Sequence, residues 1–153
     1  MKKLIVFVSV AMFYIAGFAA SPNSSWIVSD EGRISCEKIS IGANNARIVS
    51  ENGEKTTIPL EKLSSYSLNG MVFDKMMLYS DGKPTGQTSF MQLIKSRNGF
   101  SLYKDIEFDP ESIDPLQESY CFYVYADDKL HLALDEKLLP SVFHFFNVKW
   151  SYN

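Results

Sequence analysis

The chain has 153 residues, of which 46% are hydrophobic and 14% aromatic, and its formal net charge is −3 at pH 7. A chain this apolar can offset its ordering entropy by burial, which excludes an intrinsically disordered protein, and its length suits one domain with one core. Nucleic-acid binding needs a cationic stripe that neutralises phosphates, and the chain beyond its first residues has none, so we expect no nucleic-acid partner.

The first 19 residues have the pattern of a secretory signal peptide. Lys2 and Lys3 precede an uncharged apolar run over 4–18, and small residues flank a cleavage site at Gly17-Phe18-Ala19. The run is shorter than the roughly 20 residues that span a bilayer, which favours cleavage over anchoring. We therefore predict a signal peptide over 1–19 and a single β-rich extracytoplasmic domain over 20–153, with no integral membrane segment after cleavage.

The predicted cleavage sets the compartment and the charge of the mature protein. It removes two lysines and no carboxylate, so the formal net charge changes from −3 to −5. No cysteine stands at the cleavage site to carry a lipid anchor. We expect a periplasmic or secreted protein, and the short leader with two lysines favours the periplasm of a Gram-negative bacterium.

Antiparallel hairpins are predicted wherever a turn dipeptide separates two runs of alternating apolar residues. Asn-Gly is the strongest such signal, because a type I′ turn needs a positive φ at both central residues. A two-residue loop at Asn69-Gly70 pairs Leu68 with Met71. One step further it pairs Tyr66 with Phe73, so these four apolar side chains share one face.

Three further turns predict hairpins of different character. A loop at Asp127-Asp128 predicts a central ribbon that is apolar on both faces, with the pairs Tyr125–Leu130, Tyr123–Leu132 and Cys121–Leu134. A loop at Asn52-Gly53 predicts a more polar edge pair, with Val49 opposite Thr56 and Ile48 opposite Thr57. Upstream, Asp30-Glu31-Gly32 separates strands over 26–28 and 33–41, and the change of phase within the second strand predicts a β-bulge near Glu37-Lys38.

One segment has helical rather than alternating spacing. Phe90, Leu93 and Ile94 fit one face of a helix, and Gly99 can end it in a left-handed conformation. We predict one short helix over about 86–97 and a weaker helical turn over 135–139 that Pro140 ends. The alternation over 146–150 predicts a half-buried strand. The fold prediction is mainly β (α+β), an antiparallel curled sheet or partly open barrel of hairpins with the short helix packed on it.

Cys36 and Cys121 are the only cysteines of the chain. In an oxidising compartment two thiols favour a disulfide, and the predicted strand phases allow both side chains to point inward. We predict that Cys36 and Cys121 are bridged. Two separate buried thiols that act as small hydrophobic side chains are the alternative.

The sequence contains no recognisable catalytic or metal-binding pattern. His131 and His144 are the only histidines, and neither lies in a zinc-binding or nucleophile-activating motif. The run over 105–118 gathers six carboxylates but lacks the spacing that wraps calcium, so we interpret it as a solvated acidic loop, with a calcium site as the alternative. We expect no catalytic residue, no cofactor and no metal ion.

Aromatic side chains give the only candidate ligand or partner surface. Its members are Trp26, Tyr123, Tyr125 and Trp150. Exposed together, they would form a platform for stacking a sugar or docking a partner, since such side chains combine large apolar area with a polar tip. The alternative is that they line the core, where aromatic side chains of a small domain are usually found.

Several short motifs resemble small exported proteins of unknown function from Bacteroides-type bacteria. They are Ile58-Pro59-Leu60, Ser65-Tyr66-Ser67-Leu68-Asn69-Gly70, Phe90-Met91-Gln92-Leu93-Ile94, Ser101-Leu102-Tyr103 and Tyr123-Val124-Tyr125. The resemblance covers roughly residues 26 to 135 and implies an exported protein with one β-rich domain. It transfers no active residue, because the motifs are turn and strand signals.

Two classes of function are consistent with the sequence. The first is a non-catalytic cell-envelope binding or accessory module, whose partner is an envelope protein, a peptide or a glycan. The alternative is a small periplasmic hydrolase or isomerase that uses carboxylates such as Asp74, Asp105 or Glu107 together with a tyrosine. A concave pocket with two carboxyl groups about 5 to 9 Å apart would favour the enzyme.

The predicted export can be tested by the mass of the chain in its own cell. We expect protein recovered from the extracytoplasmic fraction to begin at Ala20 or Ser21, because signal peptidase cleaves after small residues. Intact-mass spectrometry measures this directly. Cytosolic material that still carries Met1 would contradict the predicted leader.

Overall fold

A computed structural model describes residues 25–108 and 118–149, and the side chains of 25–105 and 120–149. Within these ranges the chain forms eleven strands, one 3-10 turn over Leu60–Lys62 and one α-helix, α1, over Leu139–Phe146. The strands are β1 (Ser25–Ser29), β2 (Gly32–Cys36), β3 (Lys38–Ile41), β4 (Asn45–Val49), β5 (Lys55–Pro59), β6 (Leu63–Leu68), β7 (Met71–Ser80), β8 (Lys83–Arg97), β9 (Phe100–Phe108), β10 (Glu118–Ala126) and β11 (Lys129–Leu134).

The described strands form two antiparallel sheets. The large sheet has the order β11-β10-β9-β8-β7-β6-β1-β2, and the small sheet has the order β3-β4-β5. Most neighbours are consecutive in the chain, because short turns join them. The large sheet curls until β11 approaches β7, but these two strands are not paired, so the sheet does not close into a barrel. The predicted mainly β fold is therefore confirmed as a curled antiparallel sheet with one short helix.

The hairpin at Asn69-Gly70 has the predicted register. Leu68 pairs with Met71, and Tyr66 pairs with Phe73. Asn69 and Gly70 have φ values of 53° and 76°, the two positive values that a type I′ turn requires. The rings of Tyr66 and Phe73 stack with their centroids 4.8 Å apart, so turn chemistry and side-chain packing select the same register.

The predicted ribbon at Asp127-Asp128 is confirmed only next to its turn. Tyr125 pairs with Leu130 as predicted, but an extra residue on β11 then shifts the register. Tyr123 therefore pairs with Ala133 instead of Leu132, and the predicted pair of Cys121 with Leu134 is wrong. The bulge moves Leu132 and Leu134 to the face of the sheet that α1 covers.

Two upstream details also differ from the sequence prediction. The turn after β4 comprises residues 50–54, in which the Ser50 N–H donates to the Glu54 carbonyl, so Val49 pairs with Lys55 and Ile48 with Thr56. The β1–β2 hairpin forms as predicted. The change of phase after Cys36 is not a bulge, because the chain leaves the large sheet there and begins β3 of the small sheet.

The predicted helix over 86–97 is wrong, because these residues belong to the long strand β8. Apolar side chains cover both faces of this strand: Met91 and Leu93 pack on one side, and Phe90 and Ile94 pack on the other. A strand that is buried on both faces loses simple alternation, and its apolar positions can then imitate the spacing of a helix.

The helix of the protein is α1, close to the weaker helical turn of the sequence prediction. Pro140 lies in its first turn rather than ending it, since that turn needs no N–H donor from the residue. The helix ends at Asn147, which has a φ of 54°. The predicted strand over 146–150 is therefore wrong as far as the structure is described, and Trp150 lies outside the described residues. Among the described residues no helix could span a membrane.

Three apolar clusters hold these elements together. The small sheet packs on β1, β2 and β6 around Ile27 and Ile48. The helix α1 packs on β9, β10 and β11 through Phe143 and Phe146. The third cluster, with Met91 at its centre, fills the inside of the curl. Both faces of much of the large sheet are thus covered, which explains the apolar character of its strands.

Candidate functional site

The inside of the curl contains the polar groups that the sequence analysis associated with catalysis. We call this surface the inner face and define it by Asp74, Met91, Tyr103 and Tyr125. Cross-strand pairing places Asp74 opposite Met91 and Tyr103 opposite Leu93, with side chains on the same side of the sheet. The inner face is the concave side of the sheet, and ligand pockets usually form on concave surfaces.

Asp74 is the acceptor of a small hydrogen-bond network on the inner face. The Ser65 hydroxyl donates to Asp74 Oδ1 over 2.6 Å, and the Tyr103 hydroxyl donates to Asp74 Oδ2 over 2.9 Å. Burial, followed by the negative charge of Asp74, raises the pKa of Tyr103 well above its ordinary value of 10. Tyr103 therefore keeps its proton and acts as a hydrogen-bond donor rather than as a base.

The Tyr125 side chain links β10 to β7 across the inside of the curl. Its hydroxyl donates over 2.8 Å to the carbonyl of Met77, and its ring packs edge-on against Tyr79 and Tyr103. Burial, with a smaller contribution from Tyr79 and then Asp105, raises the pKa of Tyr125 to about 12. This side chain is 2% exposed, so it can contribute to the packing of the curl but not to a docking surface.

Two of the carboxylates proposed for a hydrolase, Asp74 and Asp105, accept hydrogen bonds from side-chain hydroxyls. Asp74 is held by Ser65 and Tyr103, and Asp105 lies 3.5 Å from the Ser89 hydroxyl. Met91, which is fully buried, faces Asp74 from β8 and fills the space beside this carboxylate. The side chain of Glu107 lies outside the described residues. These hydrogen bonds connect β6, β7 and β9 across the inner face, because Ser65, Asp74 and Tyr103 lie on those three strands.

The aromatic residues predicted as a partner surface lie apart in the structure. Trp26 is on β1, and four strands lie between β1 and β10, which carries Tyr123 and Tyr125. The Arg33 guanidinium lies 4.2 Å from the centre of the Trp26 ring and covers it. Tyr123 is half-buried in the cluster inside the curl, and Trp150 lies outside the described residues. The structure does not bring Trp26, Tyr123 and Tyr125 together as one platform.

The predicted disulfide between Cys36 and Cys121 is wrong. Cys36 lies on β2 and Cys121 on β10, and the structure does not bridge them. Five strands lie between β2 and β10 in the order of the large sheet. Cα atoms of bridged cysteines lie within about 7 Å of each other. Cys36 matches the alternative of a buried thiol, and its burial raises the pKa of this thiol.

No metal site is found among the residues that the structure describes. These residues contain no group of three or more histidine, cysteine, aspartate or glutamate side chains that could hold an ion. His131 lies in the bulge of β11 beside Phe100, and His144 lies on the exposed side of α1. Most of the acidic run over 105–118 is outside the described residues, so the calcium alternative for it remains untested.

The structure reveals a cleft that the sequence analysis missed. It opens between β2, the last strand of the large sheet, and β5, the last strand of the small sheet. We call it the edge cleft; it has a volume of about 250 Å³, and its wall includes Asp30, Glu31, Ile34, Thr57, Ile58 and Lys62. Within the described part of the chain, neither β2 nor β5 has a strand neighbour on its outer side.

The chain is not similar to known proteins that would suggest a ligand for this cleft. No protein-family model, no curated protein and no solved structure matches it. The site must therefore be interpreted from its own geometry.

Tyr103 and Tyr125, the two buried tyrosines of the inner face, predict a loss of stability at high pH. Each of these tyrosines has a higher pKa in the folded state than in the unfolded chain, where the pKa is about 10. Its contribution to stability is therefore fully present at pH values below 10. That contribution decreases as the pH rises from 10 towards the pKa of Tyr125, about 12. Urea denaturation between pH 9 and pH 12, with phenolate absorbance recorded in parallel, should show a falling free energy of unfolding. Titration of all tyrosines in one step near pH 10 without loss of folding would contradict this prediction.

Proposed function

We propose that the chain is an exported, non-catalytic binding module that receives an extended peptide segment of an envelope partner in the edge cleft. The observation that carries this proposal is the position of two strand edges, β2 and β5, on either side of one open cleft. Each edge presents a row of backbone N–H and C=O groups that a further strand can pair with. Extended peptides commonly bind proteins by adding a strand in this way.

The wall of the edge cleft suits a peptide with alternating side chains. Ile34 from β2 and Ile58 from β5 supply partly buried apolar contacts, and both belong to the cluster between the two sheets. Thr56 and Thr57 are exposed along β5 and offer hydroxyl groups. Successive side chains of a bound strand point to opposite sides. One set would therefore cover the isoleucines, and the other would face solvent.

Charge at the edge cleft favours a cationic peptide. Asp30 and Glu31 lie in the β1–β2 turn at its rim, and both are exposed. Lys62 is the one cation among the residues that line the cleft, so the two carboxylates outnumber it. Rim charges mainly determine the selectivity and the rate of association. A lysine or arginine near one end of the bound segment would lie beside these carboxylates.

The proposal can be tested with random peptides of twelve residues displayed on phage. Selection on the processed chain should enrich sequences that combine β-branched residues with lysine or arginine. The double variant Asp30→Lys/Glu31→Lys should weaken an enriched peptide about tenfold, because reversal of each rim charge changes binding by about 1 kcal/mol or less. Fluorescence anisotropy measures the affinity, and hydrogen exchange should show protection of β2 and β5.

A control variant distinguishes an effect of charge at the edge cleft from an effect of the total charge of the chain on peptide affinity. Glu51→Lys changes an exposed glutamate in the turn between β4 and β5, outside the lining of the cleft, and should leave the affinity unchanged. An absence of enrichment would contradict the proposal. So would equal weakening by Glu51→Lys and by the double variant Asp30→Lys/Glu31→Lys.

A further inference from the structure

A second surface of the molecule combines exposed aromatic and cationic groups. It lies where the β8–β9 turn meets the end of α1, and we call it the basic corner, defined by Lys95, Arg97, Phe100, His144 and Phe145. Phe145 is 40% exposed, although it is a large apolar side chain. Its ring meets Phe100 edge-on with the centroids 6.3 Å apart. Neither the packing of the curl nor the edge cleft uses this surface.

Arg97 is fixed in place at the basic corner. Its guanidinium donates a hydrogen bond to the carbonyl of Phe145 and lies 5.3 Å from the centre of the Phe145 ring. The carbonyls in the last turn of a helix lack partners within the helix, so this hydrogen bond satisfies one of them. The bond spans 48 residues of sequence, and it holds a cation beside an exposed aromatic ring.

The local charge of the basic corner is opposite to that of the whole chain. An open depression of about 480 Å³ is lined by Lys95, Ser96, Arg97, His144, Phe146 and Asn147, without a carboxylate among these residues. The formal net charge of the chain is −3. An anionic surface would therefore repel most of the molecule but attract this corner, which fixes the orientation in which the two could meet.

We propose that the basic corner docks the protein on the surface of an anionic phospholipid membrane. Exposed phenylalanine and leucine side chains flanked by lysine and arginine suit the interface between headgroups and acyl chains. The Lys95 and Arg97 side chains face lipid phosphates while the Phe145 ring enters the interface. The site is open and shallow, which fits a surface better than an enclosed small ligand.

The helix α1 lies along the membrane in this arrangement. Leu138, which is 39% exposed, is seven residues before Phe145 and therefore on the same side of the helix. Asp135 and Glu136 precede Leu138 and weaken attraction at that end, so the Phe145 end makes the closer contact. One aromatic ring and two cations give reversible peripheral binding, which salt weakens by screening.

Vesicle sedimentation tests the proposal. The processed chain should bind vesicles of phosphatidylcholine with 30% phosphatidylglycerol, and it should bind pure phosphatidylcholine at least tenfold more weakly. The double variant Lys95→Gln/Arg97→Gln should reduce binding to anionic vesicles at least tenfold, because each cation near such a surface contributes about fivefold. The double variant Lys55→Gln/Lys83→Gln removes the same charge from exposed positions elsewhere and should bind like the parent.

A second pair of variants tests the apolar contact. Phe145→Ser should weaken binding to anionic vesicles about tenfold, whereas Met71→Ser, at an equally exposed apolar position at the start of β7, should not. Thermal unfolding of each variant confirms that it is folded.

Three results would overturn the membrane assignment. The first is an absence of binding to anionic vesicles. The second is an equal loss of vesicle binding in Lys95→Gln/Arg97→Gln and Lys55→Gln/Lys83→Gln. The third is an equal loss of vesicle binding in Phe145→Ser and Met71→Ser. Displacement by inorganic phosphate at constant ionic strength would assign the corner to a soluble anion instead. Because these residues lie outside the edge cleft, the result is independent of the peptide experiment.

Discussion

The hydrogen bond from the Tyr125 hydroxyl to the Met77 carbonyl links the two sides of the curled sheet. It joins β10 to the far half of β7, although two strands lie between them in the sheet. The Tyr103–Asp74 bond adds a second cross-strand link inside the same curl. A hydrogen bond within a protein contributes about 0.5 to 1.5 kcal/mol net, so these two bonds add modestly to the apolar burial that favours the curled arrangement. The curl then buries the apolar residues of its inner face around Met91.

This constraint explains why the surfaces available for binding lie at the periphery. The inner face is filled with side chains, and the outer face is covered by α1 on one half and by the small sheet on the other. Among the described residues, the open depressions lie at the edges of this packing. They include the edge cleft between β2 and β5, the basic corner at the end of α1, and a depression between the small sheet and the β6–β7 turn. One proposed binding surface therefore lies where the two sheets stop packing against each other, and the other lies where α1 stops packing on the large sheet.

Local signals in the sequence predicted the local structure well. The Asn69-Gly70 turn specified its own register, because positive φ values and apolar alternation agree there. The same reasoning failed for β8, since burial on both faces of a strand is decided by distant elements. The edge cleft could not be predicted for a related reason: which strands end a sheet depends on non-local pairing. The positions of Cys36 and Cys121 on non-neighbouring strands also depend on this non-local pairing.

Hydrogen exchange of the Tyr125→Phe variant tests the central role of the tyrosine link most directly. Removal of the hydroxyl leaves the buried Met77 carbonyl without its side-chain donor and keeps the ring that packs against Tyr79 and Tyr103. We expect a free energy of unfolding lower by about 1 to 2 kcal/mol and faster exchange in β11 and the second half of β7. Tyr66→Phe, which removes the hydroxyl of a tyrosine packed on the opposite face, should leave exchange in β11 unchanged. Unaltered exchange in β7 and β11 of Tyr125→Phe would contradict the account.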